Sequence, residues 1–248
     1  MCVLLADTLN KCGLNKNEYL IEVSNRKLIQ GLLEELKITN DSKKLTIIRA
    51  ADKLDRVNIV GVKALLGKGR KDKSGDFTKG AGLTENQSEE IINFLKIDSF
   101  SKLGNLSSNS TFKEGISELS EIFELTKLSR FSDRIQFSPT VVRGIEYYTG
   151  AIFEANLLFK VKNNKGEEVE FGSVGGGGRY DDLIARFTQT IYPATGVSIG
   201  LDRLLYAIDQ TKIEKIKDIN PVVICVFDKK QMPQYNKLLT LLRSSNIN

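Results

Sequence analysis

Apolar residues recur at helical spacing as soon as the chain begins: Val3, Leu4, Leu5, Leu9 and Cys12 draw one stripe, and Gly13 stops it. The pattern then switches to period two. Tyr19, Ile21 and Val23 alternate with Leu20 and Glu22, which predicts a strand, and Leu28, Ile29, Leu32, Leu33 and Leu36 return to a helical stripe. From about residue 44 to 135 no alternation persists. Helical patches around Leu45 to Val57, Glu89 to Leu95 and Ile116 to Leu125 are separated by the polar, glycine-bearing run 67–76 and the serine-rich run 107–110. This reads as a mostly helical insert with a mobile loop and a linker.

Alternation is strongest further on, where Ala151, Phe153, Ala155, Leu157, Phe159 and Val161 share one side of a long predicted strand. The turn-forming run 163–166, Asn-Asn-Lys-Gly, and the returning Val169 and Phe171 make it an antiparallel hairpin, which argues against an all-parallel sheet. After Gly175 to Gly178 the pattern is helical through Leu183, Ile184 and Phe187, extended at Thr195 to Ile199, and helical again from Leu201 to Ile208. The final apolar run Val222 to Phe227 predicts a strand, followed by a helix through Leu238, Leu239, Leu241 and Leu242. A lone strand and helix cannot cover their own apolar faces, so this last domain is expected to be cut short.

Composition narrows the chemistry. Among 248 residues there is no His, which removes imidazole bases, imidazole-containing triads and His metal sites. Catalysis must rest on Arg, Lys, carboxylates, Tyr, Cys or backbone amides. A formal net charge of +5 permits a polyanionic partner without requiring one. Cys2, Cys12 and Cys225 have no metal-ligand spacing and read as reduced core thiols, while the absence of a membrane-length apolar run or a leader pattern predicts a cytoplasmic protein.

Three clusters can carry chemistry. In the first, Arg143 precedes Gly144 and the pair Tyr147 and Tyr148; a planar guanidinium beside a side-chain-free residue suits a carboxylate or phosphate, and phenols suit a polar ring. A surface Arg beside two core tyrosines is the competing reading. In the second, four glycines precede Arg179 and Tyr180; such a run implies either close approach of backbone to a ligand or a flexible hairpin end. It matches neither a dinucleotide fingerprint nor a Walker A loop. In the third, Gly196 to Arg203 runs from strand directly into helix, placing Gly200 and Arg203 where a helix N-terminus favours anions, or simply marking an ordinary junction.

In this order the clusters resemble the histidyl-tRNA synthetase family of class II aminoacyl-tRNA synthetases. Arg143 to Tyr148 is similar to its first histidine-binding signature, Gly176, Gly177, Gly178, Arg179, Tyr180 and Asp181 to its second, and Gly196 to Arg203 to class II motif 3; Asn25-Arg26-Lys27-Leu28 resembles the family more weakly. The resemblance implies an α+β fold, a class II antiparallel sheet with flanking helices. It divides the chain into core (1–43), helical insertion (44–135), core again (136–215) and the start of a truncated α/β anticodon-binding domain (219–248).

The implied reaction is ATP-dependent activation of L-histidine and transfer to tRNA(His) by a homodimer, with Mg²⁺ held mainly by ATP phosphates. Arg143 would stabilise the reacting carboxylate and α-phosphate. Tyr147, Tyr148, Gly176, Gly177, Gly178, Arg179 and Tyr180 would bind histidine, with Gly200 and Arg203 on ATP. Lys68, Arg70, Lys71 and Lys73 in the insert would approach tRNA, against the plainer reading of a solvated loop. Motifs 1 and 2 are not found, so the chain alone is expected not to charge tRNA. The alternative is a non-catalytic relative, similar to the synthetase-like regulatory subunit of ATP phosphoribosyltransferase.

Overall fold

The computed structural model describes residues 1–72, 74–142, 147–162, 166–210 and 222–245, which group into two units, Met1–Ala207 and Ile208–Asn248. Within the first unit, helix α1 (Cys2–Lys11) leads into strand β1 (Tyr19–Asn25) and helix α2 (Arg26–Glu35). Residues 41–126 contribute α3 (Asp41–Ala51), α4 (Leu54–Leu66), the short strands β2 (Gly69–Lys71) and β3 (Phe77–Lys79), and helices α5 (Glu85–Leu95) and α6 (Ser110–Thr126). Strands β4 (Ile135–Phe137), β5 (Ala151–Lys162) and β6 (Glu168–Arg179), helix α7 (Asp181–Thr188), strand β7 (Thr195–Ile199) and helix α8 (Leu201–Gln210) follow.

Five strands form one sheet in the order β4-β1-β5-β6-β7, parallel between β1 and β4 and antiparallel elsewhere. The register sorts side chains onto two unlike faces. Tyr19, Ile21 and Val23 pair with Leu157, Ala155 and Phe153, and all six are buried. This apolar face is the core. Helix α1 covers it, with the Tyr19 hydroxyl donating to the Ala6 carbonyl at 2.9 Å, and α6 runs against β1 and β5. Helix α2 approaches α6 so closely that a Cβ on Gly31 would stand 2.5 Å from the Phe112 nitrogen.

Several expectations change. The polar run 67–76 belongs to a hairpin, β2 on β3, whose turn is organised by the Asp72 carboxylate accepting from the amides of Ser74 (2.9 Å) and Asp76 (3.1 Å). Gly69 sits at φ +114° with no room for a Cβ against the Thr78 carbonyl, so glycine is required there. The serine-rich linker is tied down as well: Ser107 is buried with its hydroxyl on Glu35, and Asn109 caps α6. The glycines of the second cluster are neither a turn nor a hairpin end; Gly175 to Gly178 lie in β6, paired on both sides.

In the second unit the expected helix is α9 (Met232–Ser244), but Val222 to Phe227 forms no strand. A strand exists through pairing, and the described residues of this unit offer only helical neighbours. Of the three thiols, Cys2 is buried, which pushes its pKa up to about 11, whereas Cys12 and Cys225 are exposed and not core. No helix among the described residues is long and apolar enough to cross a membrane.

Candidate active site

The second face of the sheet is largely polar, because Glu22, Glu154, Asn156 and Ser198 stand on it beside the glycines of β6, with Leu20 and Ile152 as its apolar members. Glu22 on β1 stands beside Glu154 on β5, then Gly176 on β6 and Ser198 on β7; Asn156 lies next to this row and donates to Glu22 at 2.6 Å. One step along, Ile152, Gly178 and Gly196 form a neighbouring row. A cavity of about 870 Å³ opens on this face, lined among others by Glu22, Asn156, Gly176, Ser198, Gly200 and Arg203.

At one end of the face sit the tyrosines. The ring of Tyr148 occupies the space of a side chain at Gly178, where a Cβ would fall 2.8 Å from its Cδ1. Tyr180 does the same at Gly196. Tyr147 lies against Tyr148, ring centroids 4.3 Å apart. Burial raises the Tyr148 phenol above its ordinary pKa, with the hydrogen bond to Tyr147 and the nearby Tyr147, Tyr180 and Glu154 charges acting in the same direction, so it stays protonated and able to donate. At the other end Arg203, in the first turn of α8, donates to the carbonyls of Ser173 (2.9 Å) and Phe171 (2.8 Å) and stacks over the Phe171 ring. Two fixed acceptors and a ring orient the guanidinium along β6.

Arg179 points elsewhere. Its Nε donates to Asp181 at 2.7 Å, and the same carboxylate accepts from the Thr149 hydroxyl (3.0 Å) and the Ala194 amide (3.2 Å). Burial tends to raise the Asp181 pKa, but these three donors together hold it below the usual carboxylate range. The Thr149 amide donates to the Arg179 carbonyl at 2.8 Å, so this group fastens the segment after the tyrosines to the end of β6. Arg143 and Lys73 lie outside the described residues; Lys68 and Lys71 are exposed on the hairpin, and Arg70 is half-buried with Nη1 beside Gly61. The structure thus brings together Tyr147, Tyr148, Tyr180, Gly176 and Gly178, with Gly200 and Arg203 on the same face, and adds Glu22, Glu154, Asn156 and Ser198; Gly177, expected at the histidine site, instead faces the core against Phe153. Alternation alone put Glu22, Glu154 and Asn156 opposite the core positions of their own strands; only the strand register gathers them with Ser198.

Comparisons with known proteins agree in kind. A family model described as histidyl-tRNA synthetase matches residues 1–204. The chain is 45% identical over 250 residues to a histidine–tRNA ligase of Pelagibacter ubique, covering 100% of this chain and 54% of that relative; it spans about half the length of the curated relatives it matches. Among solved structures, the histidyl-tRNA synthetase of Nostoc sp. PCC 7120 superposes with a TM-score of 0.67 at 26% identity, covering 100% of this chain and 57% of that one. An ATP phosphoribosyltransferase regulatory subunit/histidyl-tRNA synthetase from Bacillus halodurans, 20% identical with a TM-score of 0.61 over 99% of this chain and 56% of that one, shares the fold.

Proposed function

This chain belongs to the histidyl-tRNA synthetase family, and we propose that the polar face of its sheet is the site of histidine activation. The carboxylate of L-histidine attacks the α-phosphate of ATP, forming the acyl-phosphate bond of histidyl-adenylate and breaking the bond to pyrophosphate. The observation that carries this reading is the placement of phenols at one end of a polar face and an oriented guanidinium at the other.

The phenols of Tyr147, Tyr148 and Tyr180 can bond both nitrogens of an imidazole, which an apolar pocket could not distinguish from an isosteric ring. Gly176 keeps the floor of the polar face low, and Gly178 leaves room for the Tyr148 ring, whereas Gly177 faces the core against Phe153. Gly200 and Arg203 take the ATP end, with Arg203 on the γ-phosphate, and Arg143, by resemblance, neutralises the carboxylate and α-phosphate as they meet. Arg179 supports the tyrosine end by holding Asp181. Mg²⁺ would arrive with the ATP phosphates and neutralise their charge; the Glu22 carboxylate at the cavity wall is the hard oxygen donor such an ion takes. In the second step the acyl group passes to the 3′ end of tRNA(His), releasing AMP, with the insert hairpin near the tRNA and a homodimer as the working assembly.

Sequence identity favours the ligase over the regulatory alternative, since the latter's likeness is one of fold. Calorimetry with a non-hydrolysable histidyl-adenylate analogue tests the reading. Binding of that analogue at least tenfold tighter than of a prolyl or seryl counterpart is expected; equal affinity for all three would overturn it.

A further inference from the structure

Helix α2 begins with two cations, Arg26 and Lys27, after its cap Asn25. Positive charge at a helix N-terminus opposes the macrodipole, so some other interaction must retain it. For Lys27 that interaction is an ion pair with Glu114 (2.5 Å) and Glu118 (2.6 Å) on α6. Arg26 has no acidic partner in hydrogen-bond range among the described contacts and is half-buried; burial lowers its pKa, opposed by the charge of Asp182. Its Nη1 instead donates to the main-chain carbonyl of Tyr148 at 2.5 Å, and its own amide donates to the Gly150 carbonyl at 3.0 Å.

The same short segment is gripped from the opposite side by Thr149 on Arg179 and Asp181. Glu118, which also accepts from Asn25 at 2.6 Å, lies where a Cβ on Gly150 would come within 3.1 Å, so α6 supports the junction from behind. Between these holds the Tyr148 ring rests on Gly178 and against the Tyr147 ring. We propose that Arg26 is a positioning residue for Tyr148: its guanidinium fixes the backbone from which the phenol reaches the histidine end of the site. The proposal rests on the reading of that end as the imidazole pocket. It gives the Asn25-Arg26-Lys27 run a role no residue pattern announced, since the partner of Arg26 is the main chain of a residue more than a hundred positions away.

The test uses Arg26→Met and Arg26→Lys in the full chain, with calorimetry on the histidyl-adenylate analogue and on ATP separately, and amide exchange over residues 147–150. Arg26→Met is expected to weaken the analogue about tenfold, as for a lost charged hydrogen bond, to leave ATP affinity unchanged and to speed exchange at Thr149. Arg26→Lys should recover part of both effects, and it carries the test if the Met variant does not fold. Unchanged exchange with unchanged analogue affinity overturns the proposal, as does a parallel loss for ATP, which marks general loosening. If the parent chain fails to prefer the histidyl analogue, the pocket reading falls, while the exchange result still decides whether Arg26 holds the segment.

Discussion

The phenol of Tyr180 stands where a side chain at Gly196 would have to be: a Cβ there would meet the Tyr180 hydroxyl at 2.5 Å. The obstacle is the far end of a movable side chain. Gly196→Ala should therefore cost less than about 1 kcal/mol of stability while displacing the ring and weakening the histidyl-adenylate analogue severalfold. Gly177→Ala is the contrast, because its Cβ would fall 2.0 Å from the Gly196 carbonyl, a backbone atom. That variant should lose about 1 to 3 kcal/mol or fail to fold. Denaturant midpoints and calorimetry on the pair separate the two effects.

Arg203 bridges two carbonyls of β6 through its Nε and Nη2, a planar fork that also stacks on Phe171. Arg203→Lys keeps the charge and loses the bridge and the stacking on Phe171, so ATP should bind more weakly by about 1 to 3 kcal/mol with the histidyl pocket intact. Retention of ATP affinity in the Lys variant would remove the orienting role.

Asp181 predicts an acid transition local to the tyrosine end. Its folded pKa is depressed, so its contribution is complete above the unfolded value of about 3.9 and is lost as pH falls through the folded one. Exchange at the Thr149 amide should accelerate, beyond its intrinsic pH dependence, only below that value. In Asp181→Asn the acid-linked acceleration should vanish and neutral-pH protection should fall.

The cations of the β2–β3 hairpin differ in exposure. Lys68 and Lys71 are exposed, whereas Arg70 is half-buried with its guanidinium over Gly61. Replacing Lys68 and Lys71 with Ala should leave the unfolding midpoint unchanged and reduce the slope of log tRNA affinity against log salt by about 1.6. Arg70→Ala should lower the midpoint as well. An unchanged slope in the double variant would leave these lysines as ordinary solvated charges.

Much of this protein was legible without coordinates. The alternation of Tyr19, Ile21 and Val23, and of Ala151 to Val161, determined the central strands, and the helical stripes determined α1, α2, α6 and α8, because burial of one side imposes a period that local sequence must obey. The order of Arg143, the glycine-Arg-Tyr run and Arg203 determined the family. Tertiary structure decided what local pattern cannot encode. Which face of the sheet stays polar depends on register between strands more than a hundred residues apart in sequence, as with Glu22 beside Glu154. The four glycines have no periodicity to read; their place in a paired strand follows from ladders to distant strands on both sides, with the rings of Phe153 and Tyr148 taking the space beside Gly177 and Gly178. Arg179 and Arg26 look alike in sequence as cations near the site, yet one is spent on Asp181 and the other on a tyrosine carbonyl, since a long side chain's partner is fixed by what the fold places within its reach.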